Sequence, residues 1–353
     1  VISPELTRTK MGSGTALSES PRNPDVLWAG TDDGNLWVTR DGGATWTNVI
    51  DNVKKAGLPG YRWVATIEAS RYADGRCYVC FDAHRSDDDN PYLFVTEDFG
   101  ATWKNITANL PWGSTRCLRE DIKNQDVLYC GTEFGIWASV NRGASWTNIN
   151  NKSSRTAGLP TVAIHEIAQH PITGELVVAT HGRSVWICDI SAIRQINKET
   201  ITAKAHLYAP NPAIRWRVEA NRGMFSGAER KFVGSNPPRG AAIYYSLNKP
   251  AEKVELKIVD INGQVIRRLD AKKDPGLHRA LWDFSRLPNL TGGTGGVTGR
   301  GPGSFTGRGG GARGQAGGAS RGQAGAAAAA SGQREPASGP PTAGEGIPQQ
   351  RVA

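Results

Sequence analysis

The stretch "TRDGGATWTNV", residues 39–49, puts an acid, two glycines and a tryptophan into its first eight positions. The acid reads either as a catalytic group or as part of the turn that joins one strand to the next. The same pattern recurs, and the recurrences separate the two readings. S/T-x-D-x-G-x-T/S-W fits residues 39–46 and 96–103, and it fits 139–146 with Asn141 in place of the acid. Asparagine accepts backbone N–H bonds within a turn as aspartate does, but it cannot act as a general base. A pattern that tolerates this exchange is architectural. In each copy Asp41, Asp98 or Asn141 ties the turn. Gly43, Gly100 or Gly143 supplies a backbone conformation that other residues resist, and Trp46, Trp103 or Trp146 packs the turn down.

The boxes sit inside a longer repeat. "VLWAGTDDGNLWVTRDGGATWTNV" (26–49) returns as "VLYCGTEFGIWASVNRGASWTNI" (127–149), and residues 77–106 carry the same unit with a longer loop. A fourth unit, "LVVATHGRSVWICDI" (176–190), stops before the tryptophan box. Trp28, Tyr78, Tyr129 and Val177 hold equivalent positions, at spacings of 50, 51 and 48 residues. Each unit divides into four short strands separated by Gly, Asn and Asp turns, without long helical periodicity. Four-stranded units at this period predict β-propeller blades.

Composition bounds the rest. Of the net charge of +9, six Arg and two Glu in residues 291–353 contribute +4 (6 − 2), which leaves +5 over the first 290 residues. That balance disfavours nucleic acid as a partner. "TGRGPGSFTGRGGGARG" resembles RNA-binding RGG segments, but one interleaved aromatic favours a solvated linker. Residues 291–353 hold almost nothing to bury and are expected to be disordered. No stretch approaches the ~20 apolar residues of a membrane span. The five cysteines include a C-x-x-C at Cys77 and Cys80, in a strand that turns positions three apart to opposite faces. All five are read as buried small hydrophobes.

Turns in an up-and-down blade alternate between its rims. The boxes occupy one rim, so the loops between strands two and three, with the inter-blade connections, occupy the other. That rim gathers Asp33, Trp63, Asp82, His84, Arg85, Trp112, Glu133, His181 and Arg183 as candidate binding residues. The run Asp87, Asp88, Asp89 is a candidate calcium site, although a hydrated acidic loop is the preferred reading, and no metal is assigned. Glycoside hydrolysis needs two carboxyl groups, ~5–5.5 Å or ~6.5–9.5 Å apart. Asp82, Glu120, Asp121 and Glu133 are available, and no spacing singles out a pair. A sialidase-like arginine triad would draw on Arg85, Arg119 and Arg183.

Three segments carry a family resemblance: "FDAHRSDDDNPYLFVTEDFGATW", "LREDIKNQDVLYCGTEFGIWASVNRGASW" and "LVVATHGRSVWICDISAIRQI". Together they resemble the large bacterial BNR, or Asp-box, repeat proteins related to the sortilin (Vps10p-type) propeller, often labelled glycosyl hydrolases. The resemblance implies an all-β chain. A partial β-propeller of four-stranded Asp-box blades over residues 1–197, three complete and the first and last partial, precedes an Ig-like or fibronectin-like β-sandwich over 198–290. The disordered Gly/Ala/Arg-rich tail then covers 291–353. "VISPELT" (1–7) resembles the strand that follows a box tryptophan, so further blades are expected upstream. The family implies export (secreted, periplasmic or cell-surface). It also implies a module binding a peptide, protein segment or polysaccharide, or alternatively a xyloglucanase-like or sialidase-like glycoside hydrolase.

Overall fold

Short runs of β-branched and aromatic residues, each cut by a Gly, Asn or Asp turn, favour brief strands over helices. The computed structural model describes residues 2–150, 158–215 and 239–286. The candidate tail and most of the loop at 153–160 lie outside the described residues. Blade 1 consists of β1 (Gly14–Glu19), β2 (Leu27–Thr31), β3 (Leu36–Thr39) and β4 (Thr47–Asn48). Blade 2 holds β5 (Trp63–Ala69), β6 (Cys77–Asp82), β7 (Tyr92–Thr96) and β8 (Lys104–Asn105). Blade 3 holds β9 (Thr115–Glu120), β10 (Leu128–Thr132), β11 (Gly135–Ser139) and β12 (Thr147–Asn148). Blade 4 has three strands, β13 (Ile164–Gln169), β14 (Glu175–Thr180) and β15 (Val185–Asp189). Within each sheet the strands pair antiparallel in chain order.

The repeat spacing is the register of these sheets. Trp28, Tyr78, Tyr129 and Val177 lie opposite Ser18, Glu68, Arg119 and Ala168, at the same place in every second strand. Trp28, Tyr78 and Tyr129 are almost wholly buried, and each packs among apolar side chains of the following blade. Removing a core aromatic of this kind costs about 3–5 kcal/mol. The opposite sheet face receives the preceding blade: Ile67 is 4% and Leu118 0% exposed, whereas their counterpart in blade 1, Leu17, is 76% exposed.

The box side chains bond within each turn, and each box makes a contact beyond its own blade. Thr39 donates its hydroxyl to Asp41 (2.7 Å), whose carboxylate accepts the Thr45 N–H (2.8 Å) and hydroxyl (2.5 Å). Asp98 repeats this with Thr96 and Thr102. Asn141 keeps the bonds from the Ser139 hydroxyl and Ser145 N–H, and its own amide donates to the Ser145 hydroxyl at 2.8 Å. Gly43, Gly100 and Gly143 have φ of 98°, 87° and 82°. A Cβ on them would come within 2.5–2.9 Å of Ile2, Val49 and Ile106 respectively. Val49 and Ile106 directly follow the fourth strand of the preceding blade, and Ile2 holds the same place against blade 1. Trp46 and Trp146 donate their indole N–H to the Ile2 and Ile106 carbonyls at 2.7 and 2.9 Å. Trp103 bonds instead to the Gly100 carbonyl and meets Trp28 edge to face.

The cysteines follow the alternation of their strands. Cys77 packs between blades 1 and 2 and Cys80 between blades 2 and 3, so the C-x-x-C is no pair. Cys117 and Cys130 are buried as expected, but Cys188 is exposed, because β15 is the last strand of its sheet. Two short helices, α1 (Ile50–Lys55) and α2 (Lys198–Thr202), were not anticipated. In α1, Ile50 and Val53 reach the core between blades 1 and 2. In α2, Asn197 and Thr200 form a reciprocal cap.

Beyond blade 4, β16 (Ala205–Leu207), β17 (Ala241–Leu247) and β20 (Gly276–Trp282) form one sheet, and β18 (Leu256–Val259) pairs with β19 (Val265–Leu269). Tyr208, Tyr244 and Leu277 share a core with Ile190, Ile193 and Ile196 at the exit of blade 4. The Asn262-Gly263 turn is wider than a two-residue hairpin loop. Gly263 alone takes positive φ (78°), and Asp260 ties the loop by accepting the Asn262 and Gln264 N–H groups. This is a bulged loop with glycine in the left-handed position.

The Thr45 hydroxyl and N–H, followed by the Thr39 hydroxyl, hold the Asp41 carboxyl down to about 2. Burial works against the same effect at Asp98, where the bonds from Thr102 outweigh it. A depressed carboxyl pKa stabilises the fold above the unfolded value of about 3.9 and loses that contribution as pH falls through the folded one. Asn141 shows that the amide fits the box. An Asp41→Asn/Asp98→Asn variant should therefore fold at neutral pH and show a shallower loss of stability between about pH 4 and 2, measured by denaturant unfolding across that window.

Candidate functional site

Strand direction fixes where a site can form. The box hairpins leave β3, β7 and β11 at Thr39, Thr96 and Ser139, opposite Leu27, Cys77 and Leu128. The far ends of β2, β6 and β10, at Thr31, Asp82 and Thr132, therefore lie on the other rim. There Asp82 faces Trp63 across the β5–β6 pair. Arg116, the second residue of β9, reaches from blade 3 and joins two carboxylates. Its Nη1 donates to Asp82 Oδ2 at 2.9 Å, and its Nε and Nη2 donate to Glu133 Oε2 at 2.9 and 2.6 Å. His84 Nδ1 lies 2.7 Å from Asp82 Oδ1, which also accepts the His84 N–H.

The loop after β6 is held by its own acid. Asp88 accepts from Arg62, the Tyr92 hydroxyl and the Asn90 amide, with contacts of 2.8–3.2 Å. Burial opposes ionisation of Asp88, but Arg62 and Tyr92 outweigh it and keep the carboxyl below its ordinary value. The carbonyl of Asp89 accepts the Gly113 N–H at 2.9 Å. Gly113 needs its φ of 129°, and a Cβ there would fall 2.8 Å from the Phe134 ring. This close approach lays Trp112 on Phe134, with ring centroids 5.9 Å apart and planes at 25°. Trp112 remains 61% exposed. His84, Asp89, Trp112, Arg116, Glu133 and Phe134 line a cleft of about 290 Å³.

Of the nine residues expected at this rim, His84, Trp112 and Glu133 line the cleft, and Asp82 is tied to it through Arg116 and His84. Trp63 is covered by the Arg85 guanidinium, 4.1 Å from the ring centroid. His181 stacks on His165 at 4.9 Å at the rim of blade 4. Arg183 is exposed on the turn beyond. Asp33 accepts from the Thr31 hydroxyl and the Arg8 and Thr9 N–H groups, which ties the first residues onto blade 1.

Glu120 and Asp121 lie at the other end of β9, about 17 Å along the strand from Thr115. Both are fully buried. Glu120 accepts from the Ser70 hydroxyl and the Arg71 N–H of blade 2, and burial still raises its pKa. Asp121 is bound by Arg194 Nε at 2.8 Å and by the Tyr129 hydroxyl at 3.0 Å. These two carboxylates lock blades together and cannot share a substrate with Asp82 and Glu133. Arg119 is likewise spent between Glu68 and Glu166, so the three candidate arginines form no triad. Asp87, Asp88 and Asp89 do not converge, and among the described residues no group of three or more His, Cys, Asp or Glu is placed to hold a metal ion.

Sequence reasoning missed Arg116, Phe134 and His165. Arg116 carried a usable signal, since a polar residue one position into "TRCLRED" must emerge at the rim where the loops gather. His165 and Phe134 differ in no local way from other strand and loop residues. Burial, then Arg116 and then His181 hold the His165 imidazole below its ordinary value. Its neutral form is favoured in the fold, so protonation as pH falls costs stability. Arg116→Gln should raise the His165 titration midpoint, read from imidazole ring resonances by NMR. Arg194→Leu leaves the buried Asp121 charge without its cation and should cost about 3–5 kcal/mol in urea unfolding.

No model of a known protein family matches the chain, and no curated protein matches it. Among solved structures, YCF48 bound to D1 peptide aligns over 72% of this chain and 68% of its own, at 15% identity and a TM-score of 0.37. The GH74 enzyme of Niastella koreensis aligns over 76% of this chain and 30% of its own, at 15% identity and a TM-score of 0.38. The GH74 xyloglucanase of Xanthomonas campestris aligns over 81% and 46%, at 14% identity and a TM-score of 0.41. The chain thus spans under half the length of either GH74 protein. Likeness at this level carries no functional argument.

Proposed function

We propose that the chain is part of an exported, BNR-type propeller protein that captures a peptide or protein segment on the rim opposite its boxes. The observation that supports this is the position of Arg116. In a glycosidase the scissile bond sits between the two carboxyl groups. Here the space between Asp82 and Glu133 is filled by a guanidinium bonded to both. That geometry suits recognition better than bond cleavage. The Trp112–Phe134 stack supports polysaccharide as a second ligand class, because a sugar ring also packs on an exposed aromatic face. Further blades upstream belong to the same proposal, supported by the exposure of Leu17 where its counterparts are covered.

The test is a parallel screen of the full-length protein against a peptide array and against β-glucan, xyloglucan and sialoside substrates. Peptide capture without release of reducing sugar or sialic acid is expected, and Asp82→Ala should weaken capture at least about tenfold by loosening Arg116. Hydrolysis that disappears in Asp82→Ala or Glu133→Ala would overturn the binding reading in favour of the glycosidase.

A further inference from the structure

The cleft has an unbalanced charge. Its lining carries two carboxylates, Asp89 and Glu133, against the single guanidinium of Arg116, a formal −1 (1 − 2), and Asp82, outside the lining, is bonded to that same guanidinium. Of the cations nearby, two are paired with carboxylates and one is held against a ring. Arg62 is on Asp88, Arg85 lies over Trp63, and Arg116 is divided between Asp82 and Glu133. Two acceptors remain open. Glu133 gives Oε2 to Arg116, and among the described residues nothing bonds Oε1. Asp89 is engaged through its backbone carbonyl, and its carboxylate meets no described donor. Beside them stands the exposed face of Trp112, braced from behind by Phe134.

We infer that this cleft takes the guanidinium of an arginine side chain presented by an extended peptide. The inference rests on the peptide reading above and narrows it. A guanidinium is flat, so it stacks on an indole face while its edge still donates to carboxylates. It brings the positive charge that the cleft lacks. The lysine ammonium is a compact, strongly hydrated point charge and meets only half of this geometry. An acidic side chain would be repelled by Glu133 and Asp89. A sugar would use the aromatic face but leave the charge uncompensated. The size agrees, because about 290 Å³ is at the lower edge for small-molecule pockets and suits one side chain.

The experiment uses the full chain and fluorescein-labelled pentapeptides of the form Gly-Ser-X-Ser-Gly, with X as arginine, lysine, citrulline or glutamate, read by fluorescence anisotropy at two salt concentrations. The arginine peptide should bind tightest. Lysine should be weaker by about fivefold and citrulline, which keeps the shape and loses the charge, by about tenfold or more. The glutamate peptide should not bind, and arginine affinity should fall as salt rises. Trp112→Ala should cost about fivefold and Glu133→Gln about tenfold. Glu133→Gln also disturbs Arg116, so Asp89→Asn, which removes a carboxylate that no described residue uses, is the second variant and should cost several-fold. Equal binding of arginine and citrulline peptides, or arginine binding unchanged by Trp112→Ala and Asp89→Asn, overturns the inference. If all four peptides bind alike through Trp112, the arginine assignment fails and the peptide reading stands. If no peptide binds while a polysaccharide binds or is hydrolysed, both fail.

Discussion

The structure depends on each box seating itself against the blade before it. A four-stranded sheet has two apolar faces and cannot bury both alone, so it is stable only between neighbours. The box glycines bring their turns within van der Waals reach of Ile2, Val49 and Ile106, where any side chain at the glycine would collide. Two of the three box tryptophans reinforce that seat with a bond to a carbonyl of the same residue. The contact is local in sequence on the box side and about 40–50 residues distant on the other. It converts a tolerant turn motif into a rule for stacking sheets.

The two ends of the strands divide the remaining work. At the box end, two carboxylates are buried and satisfied: Glu120 by Ser70 and Arg71, Asp121 by Tyr129 and Arg194. Removing one partner from such a site is costly because the charge left behind is not hydrated. At the loop end, the side chains are half-buried and their bonding is incomplete. Glu133 and Asp89 keep open acceptors, and Trp112 keeps an open face. Incomplete satisfaction beside a rigid scaffold is what a binding surface needs.

Arg116 organises that surface. It comes from blade 3, fixes Asp82 of blade 2 and Glu133 of its own blade, and through Asp82 orients His84. The site is therefore assembled across a blade seam, and it inherits the precision of the inter-blade packing beneath it. Gly113 plays a complementary part on the other wall, where its positive φ and close approach to Phe134 set the tryptophan platform.

The sequence alone determined the blades. Box spacing, the equivalence of Trp28, Tyr78, Tyr129 and Val177, and the Asp-to-Asn exchange at 141 depend on near-neighbour turn chemistry and on strand alternation, both written locally in the chain. It also placed Asp82, His84, Trp112 and Glu133 on one rim, because strand direction alone assigns loops to rims. Only the tertiary structure separated Glu120 and Asp121 from Glu133, removed Asp33 to a capping role, exposed Cys188 and introduced Arg116 between two carboxylates. Those outcomes turn on which blade stands beside which, and on how far a long side chain reaches across a seam. Both are contacts between residues far apart in the chain, and local pattern does not encode them.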